Sequence, residues 1–459
     1  MRIFFINRSY VVLLFSFLLP LLLTGCLKGG FGLGKSSVTP EAGEITLPTD
    51  GVERASEIPT EKPVQEKKIT KNLSPAEDKL PSRLLNLQNP ESLMPPAPSA
   101  SWPHSGFGAV QSPGKARREA VAIPPDFSYR DAVLTEDIAW HGEVLIEGGM
   151  TIAPQATLTV ESGTVVRFKG NSGARGVLVV QGRILVSGGI DKPVIFTSLN
   201  GGAATGDWQG IVLLSSGKKN LIENCRIEGA ETGIDASFST VTLKNTFCSR
   251  CRTGVRIQDS IAVMTGGGAG ECGCGMILYD CEADIRSADF FGNRLGIYAA
   301  RTSLSLADSR ISGNSLLALT ADACRLNISG NSFGDNGSGL SLTGCEGSVS
   351  TNRIAKNAVY GLVLSRSRVK VNANEIAQNA RVGLMIEDGK GVAWGNALFA
   401  NGEYDLYNAG TEEFRAIGNW WGGTATDIAG RIYDRSMDDT RGRVLYLPVL
   451  QARPLPVAQ

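Results

Sequence analysis

The chain has 459 residues, with 45 basic and 45 acidic side chains and a formal net charge of zero. That balance offers no electrostatic case for nucleic acid as a partner. With His104 and His141 the only imidazoles, an imidazole-based metal centre has almost nothing to be built from.

At the start of the chain, Arg2 and Arg8 precede an apolar run from Val11 to Leu23, too short to hold as a bilayer span. The run ends in Leu23-Thr24-Gly25-Cys26, which resembles a bacterial lipoprotein signal with its lipobox. The resemblance implies removal of residues 1–25, acylation of Cys26 and attachment to a membrane through that lipid. Leu27 stands where an Asp commonly retains such proteins at the inner membrane, so the implied destination is the outer membrane.

Residues 26–130 are a lipid-bearing Cys and a tether. Fourteen of the twenty prolines lie between Leu27 and Arg130, among Ser, Glu and Lys without sustained periodicity. Such a composition buries too little apolar surface to offset its ordering entropy. As a random coil it spans about 55 Å root mean square. The stretch from Leu84 to Leu93 is expected to fold only briefly, and nothing else there suggests a domain.

The folded domain is expected over residues 131–450, followed by a tail at 451–459. It opens with short alternating runs, Val144-Leu-Ile146, Met150-Thr-Ile152 and Leu158-Thr-Val160, broken at Gly148-Gly149 and Ala153-Pro154. Gly233, Gly254, Gly275 and Gly296 then recur every 21 residues; Leu317 stands at the next step, and Gly339, Gly361 and Gly383 resume the register. Between Leu326 and Tyr407 four copies are legible, opening at Asn331, Asn352, Asn374 and Asn396. A period of 21 or 22 residues is that of a solenoid. The Leu-x-x-Leu-x-Leu frame of a leucine-rich repeat is missing. Triplets such as Leu362-Val-Leu364 and Val369-Lys-Val371 alternate instead, sending every second side chain inward. One turn is thus three short strands with bends between them. Successive turns stack in parallel at about 4.8 Å, and the chirality of parallel crossovers makes the coil right-handed. The fold class is all-β: a single right-handed parallel β-helix.

Asn293, Asn314, Asn336, Asn357, Asn379 and Asn401 fall one turn apart. Asn tolerates the left-handed backbone of a bend, and stacked amides can donate to one neighbour and accept from the next. A structural ladder is the reading for all six.

From about Asp131 to Leu450 the chain resembles the bacterial right-handed parallel β-helix repeat proteins, whose fold is shared with pectate lyases and polygalacturonases. The opening Trp140-His-Gly-Glu-Val-Leu-Ile-Glu-Gly-Gly-Met-Thr-Ile152, the segment Asp207-Trp-Gln-Gly-Ile211 and the ending Gly418-Asn-Trp-Trp-Gly422 carry the resemblance. An open solenoid end exposes unpaired strand groups and needs a cover. Thr424-Ala-Thr-Asp427, with Ile428 and Ile432 at i, i+4, reads as a short C-terminal helical cap.

Candidate sites beyond the scaffold are few. Asp259 and Asp280 on a lateral face, with Trp420 and Trp421, form a possible ligand face; the tryptophans could stack on a sugar ring or belong to the cap. Cys248, Cys251, Cys272 and Cys274 resemble a four-cysteine zinc cluster in spacing. Cys251 and Cys272, however, are one turn apart at positions that hold Asn elsewhere, and Cys324 and Cys345 are one turn apart without a second pair. A buried thiol stack or rung disulfides is therefore the reading. Gly268-Ala-Gly270-Glu-Cys-Gly273 fits a dinucleotide string, but no helix follows it. No acid–base pair, nucleophile, cofactor or metal cluster stands out, and polygalacturonase-like Asp-Asp and Gly-His-Gly strings are absent. The functional expectation is a lipid-anchored envelope protein whose β-helix is a non-catalytic binding or structural module, for a polysaccharide or an envelope protein. The alternative is a lyase or hydrolase using carboxylates on one lateral face.

Overall fold

The structure is a computed structural model and describes residues 125–170, 173–199, 203–423 and 425–454. Cys26, the tether up to residue 124 and residues 455–459 of the tail lie outside them. The first strand, Phe127–Leu134, begins four residues before the expected start of the domain.

The coil has about 13 turns. One turn shows the rule for all. Tyr360–Ser365 lies in a first sheet (A), Arg368–Asn372 in a second (B) and Glu375–Ala377 in a third (C). Val382–Glu387 then returns to sheet A and pairs in parallel with Tyr360–Ser365, Leu362 facing Leu384 and Leu364 facing Ile386. Alternation decides burial: in sheet B, Val369 and Val371 are buried while Arg368 and Lys370 are exposed. The inward residues of all three sheets merge into one core running from Trp140 to Val444. Each fully buried Leu, Ile or Val there contributes roughly 1.5–3 kcal/mol before entropy is subtracted.

Three corners separate the sheets, and each begins with the same two-residue device turn after turn, to which the corner from C back to A adds one or two residues. Its first residue has positive φ, as in Lys356 (59°), Arg366 (47°) and Ala373 (54°). The second points a polar side chain or thiol into the coil: Asn357, Ser367 and Asn374 are all buried. The left-handed residue is thus the one before each ladder Asn, not the Asn itself. Ladder residues are retained for their amides. Asn336 N–H and Nδ2 both donate to Asn357 Oδ1 at 3.1 Å, and Asn357 Nδ2 donates to Asn379 Oδ1 at 2.8 Å. The column holds Cys251, Cys272, Asn293, Asn314, Asn336, Asn357, Asn379 and Asn401.

Two further columns run in parallel with it. Ser309, Asn331, Asn352, Asn374, Asn396 and Asn419 occupy the corner between sheets B and C. Ser239, Ser260, Cys281, Thr302, Cys324, Cys345 and Ser367 occupy the corner between A and B. Sulfur takes the place of the amide without breaking the pattern. Cys272 Sγ donates to the carbonyl two residues back (Gly270, 3.3 Å), as Asn336 Nδ2 does to Gly334 at 2.9 Å.

The glycine column of sheet A is explained by close approach. A Cβ on Gly254 would lie 2.5 Å from the Gly275 carbonyl oxygen, and one on Gly339 would lie 2.2 Å from that of Gly361. The expected loss of Gly at Leu317 is a shift of register instead. Leu295 pairs with Leu317, so the equivalent of Gly296 is Ala318, because this turn carries 22 residues.

A helical cap does not close the C-terminal end. The helix is a single turn, Ala425–Ile428, running into a 3-10 turn at Ala429–Arg431. Gly422, Gly423 and Gly430 bracket it, and glycine is a poor helix former. The end is covered by strands instead. Ile432–Tyr433 pairs with Leu406 and Tyr407, and Val444–Leu445 pairs with Phe414 and Arg415. Ile428, Ile432 and Val444 join the core from above.

Candidate functional site

The lateral carboxylates owe their positions to the corners. Asp259 (φ 46°) and Asp280 (φ 48°) are successive left-handed residues between sheets A and B, where a short polar side chain is favoured over most others. Arg301 follows in the same column at φ 49° and grips Asp280 with Nε at 2.6 Å and Nη2 at 2.5 Å. That guanidinium holds the Asp280 carboxyl below its ordinary range. Asp259 accepts a hydrogen bond from Gln258 Nε2 at 3.3 Å. The two are not arranged as an acid–base pair.

The same corner broadens into a concavity of about 500 Å³ lined by Arg301, Arg325, Glu346, Arg366 and Arg368, with the Cys324 and Cys345 corner at its base. Arg325 pairs with Glu346 at 3.1 Å. Arg366 and Arg368 are exposed and form no ion pair among the described residues. Four guanidinium groups around one carboxylate suit an anion that offers planar oxygens at successive turns, since Arg binds carboxylate or sulfate bidentately. The sequence pattern Arg366-Ser-Arg368-Val-Lys370 was a legible signal. Its meaning depended on Arg301 and Arg325 arriving from turns 41 to 67 residues earlier in the chain.

A second charged cluster sits on the outer face of sheet A around a cavity of about 360 Å³. Glu231 binds Arg252 at 2.5 Å and Arg175 at 2.8 Å, and Asp235 lies 3.6 Å from Arg256. Strand pairing assembles it, Asp235 facing Arg256 across one turn, so no local motif marks it. Arg353 and Arg381 serve similar cross-turn pairs, with Glu375 at 3.2 Å and Glu403 at 2.7 Å.

All eight described cysteines are buried free thiols. The zinc-like quartet is split by the sheet it sits in: Cys248, Cys251 and Cys272 belong to the inner core, Cys274 to a separate cluster on the outer face of sheet A. Contact with Cys251, together with burial, pushes the Cys272 thiol up, and burial pushes Cys274 up to about 12. Cys345 is likewise raised by its contact with Cys324 and by burial. Such thiols are neutral and poor metal ligands.

Of the tryptophans, Trp421 is not available to a ligand, because it is buried in the core beside Tyr446. Trp420 is half-buried, edge-on to Phe399 at 5.2 Å with the Arg453 guanidinium 5.7 Å from its ring.

Parallel three-sheet turns and stacked corner ladders define the chain as a right-handed parallel β-helix repeat protein. The family model described as periplasmic copper-binding protein (NosD) matches residues 209–426, and the pectate-lyase-like β-helix domain matches residues 132–239. Among solved structures, the periplasmic alginate epimerase AlgG is similar at 14% identity, over 66% of this chain and 77% of that chain, with a TM-score of 0.37. A mutant form of the same epimerase is similar at 11% identity, over 68% and 76%, with a TM-score of 0.34. No curated protein matches the sequence. Copper does not fit the donors on hand: among the described residues His141 is the single imidazole, and no three His, Cys, Asp or Glu side chains converge as a metal site.

Proposed function

We propose that this is an envelope protein, held to the outer membrane by a lipid on Cys26, whose β-helix binds an acidic polysaccharide without turning it over. The carrying observation is the arginine concavity, where Arg366 and Arg368 face solvent without a carboxylate of their own. Cross-turn spacing of about 4.8 Å lets an extended polyanion follow the corner from Arg301 to Lys370. Exposed contacts of this kind contribute little singly and are screened by salt, so affinity arises from their number. The envelope location draws on the lipobox-like sequence and on the periplasmic description of the family matched at residues 209–426.

Two outcomes are expected. Cys26→Ser moves the protein from membrane to soluble fractions; unchanged membrane fractionation rules out the anchor. The double variant Arg366→Glu/Arg368→Glu weakens retention on a polyuronate at least tenfold, and the residual binding loses much of its salt dependence. Equal retention of a neutral glucan by the unaltered protein, or an unaffected double variant, rejects the reading.

A second reading is favoured by the Glu231–Asp235 cluster, where carboxylates and guanidinium groups share a concave face. There the protein is a carbohydrate-active enzyme, with Glu231 or Asp235 as the acid–base group. Unsaturated products or new reducing ends from a polysaccharide, lost in Glu231→Gln or Asp235→Asn, establish it over the binding-only reading.

A further inference from the structure

The corner between sheets A and B changes character between Arg301 and Arg366. Its left-handed positions carry Asp280, Arg301, Ala323, Gly344, Arg366 and Asp388 in successive turns. Charged side chains thus flank Ala323 (φ 51°) and Gly344 (φ 60°), two of the smallest residues. Glycine suits a positive φ and alanine does not, so backbone geometry alone does not account for Ala323. A Cβ on Gly344 would meet nothing nearer than the Ala323 nitrogen at 3.9 Å, and both residues are exposed. Their smallness is what opens the arginine concavity at this level.

Directly behind them stand Cys324 and Cys345, which line the same concavity. Arg325 pairs with Glu346 in register, so the two cysteines lie one above the other. Equivalent Cα atoms one turn apart are about 4.8 Å from each other, inside the roughly 4.4–6.8 Å that a disulfide spans. Cys324 N–H already donates to Cys345 Sγ at 3.5 Å. The other adjacent pair, Cys251 and Cys272, is roofed differently. The left-handed residues before it are Arg250 and Glu271, both long, and Arg250 is tied to Glu228 at 3.0 Å.

We propose that Cys324 and Cys345 are a thiol–disulfide exchange site, which takes up a small disulfide bearing carboxylates through the arginine concavity and is left bridged. Arg301, Arg325, Arg366 and Arg368 ring the entrance against the one carboxylate of Glu346, so the rim attracts an anionic reagent. Cys324 is the attacking sulfur: contact with Cys345 holds its thiol below the ordinary value although burial raises it, and the same contact pushes Cys345 up. The Cys324 thiolate attacks one sulfur of the small disulfide, whose S–S bond breaks, and one half leaves as a thiol with the proton that Cys324 gave up. The Cys345 sulfur then displaces the second half, which leaves with the Cys345 proton. Two protein thiols are oxidised to one disulfide, and the small disulfide is reduced to two thiols. The proposal shares its arginines with the polysaccharide reading but needs no polymer.

Oxidised glutathione is the probe. The full chain is incubated with it, quenched with N-ethylmaleimide and mapped by peptide mass spectrometry without reduction. A Cys324–Cys345 cross-link is expected to form at least tenfold faster than a Cys251–Cys272 one, and at least tenfold faster than with the cationic disulfide cystamine. In Arg366→Glu/Arg368→Glu the preference for the anionic reagent is expected to fall at least threefold. Cys345→Ser, tolerable because Ser367 already stands in the same column, is expected to stop with glutathione on Cys324. Absence of the cross-link in the unaltered protein overturns the proposal. So do equal rates for the two cysteine pairs, or for the two reagents. A cross-link that forms in a protein without affinity for polyuronate leaves this proposal standing and rejects only the polysaccharide reading.

Discussion

Replacing Asn357 by Leu destabilises the domain by on the order of 3–5 kcal/mol, read as a lowered denaturant midpoint. Its amide sits in the middle of a buried column and serves both neighbours. Removing it strands the Asn336 N–H and Nδ2, which both donate to Asn357 Oδ1 at 3.1 Å, and the Phe333 carbonyl, which accepts from Asn357 Nδ2 at 3.2 Å. Each buried group left without a partner costs about 1–3 kcal/mol, and Asn357 is only 1% exposed. Asn357→Cys should cost less, because Cys251 and Cys272 already occupy the same column and keep a donor toward the preceding carbonyl. Asn327→Leu, on the exposed side of sheet B, should shift the midpoint by no more than about 0.5 kcal/mol. If Asn357→Leu behaves like Asn327→Leu, the ladder contributes nothing to stability.

Asp405→Leu is expected to unfasten the C-terminal end, at about 3 kcal/mol. Asp405 occupies the glycine position of sheet A, Tyr404 pairing with Val382 one residue before it. Its buried carboxylate ends the Asn column by accepting from Asn401 N–H at 3.1 Å and Nδ2 at 2.8 Å, and it binds Arg431 Nε at 3.1 Å. Arg431 also donates to the Asn401 carbonyl, so one ion pair joins the last ladder rung to the covering segment. Leucine leaves two amide donors and a guanidinium without that acceptor. Asp405→Asn keeps an oxygen for the ladder and loses only the ion pair with the partly exposed Arg431, about 1 kcal/mol. Since solenoid turns contact only their neighbours, the loss should be local. Hydrogen exchange is expected to accelerate in Tyr404–Asn408 and Ile432–Tyr433 while Tyr360–Ser365 stays protected. Equal effects of the Asn and Leu variants would give the end to the ion pair, not the ladder; no effect of either would leave the end held by Trp421, Ile428 and Ile432 alone.

Much of the architecture was legible before any coordinates. The 21- or 22-residue period, the alternating triplets and the Asn spacing require a parallel β-helix, because hydrophobic alternation and turn length are properties of one strand and one bend. The ladder from Asn293 to Asn401 was visible for the same reason. Of its two companions, the one through Asn331, Asn352, Asn374 and Asn396 was marked by the repeat itself; the Ser239–Ser367 column was not, because it mixes Ser, Thr and Cys, which share a role only through their common inward direction. The C-terminal helix was misjudged because Ile428 and Ile432 satisfy a helical spacing while Ile432 in fact lies on a strand. A one-residue insertion between Leu295 and Leu317 moved the glycine position to Ala318, which counting in steps of 21 could not show.

The local sequence determined what each residue does within its own turn: inward or outward, corner or strand, glycine where the next turn presses close. Tertiary stacking decided everything that spans turns. It put Arg301 and Arg325 beside Arg366, paired Asp235 with Arg256, and separated Cys274 from Cys272 across a sheet. Residues equivalent in adjacent turns stand about 4.8 Å apart but 21 or 22 residues apart in sequence. A site on such a solenoid is therefore written vertically, and a single strand carries only one letter of it.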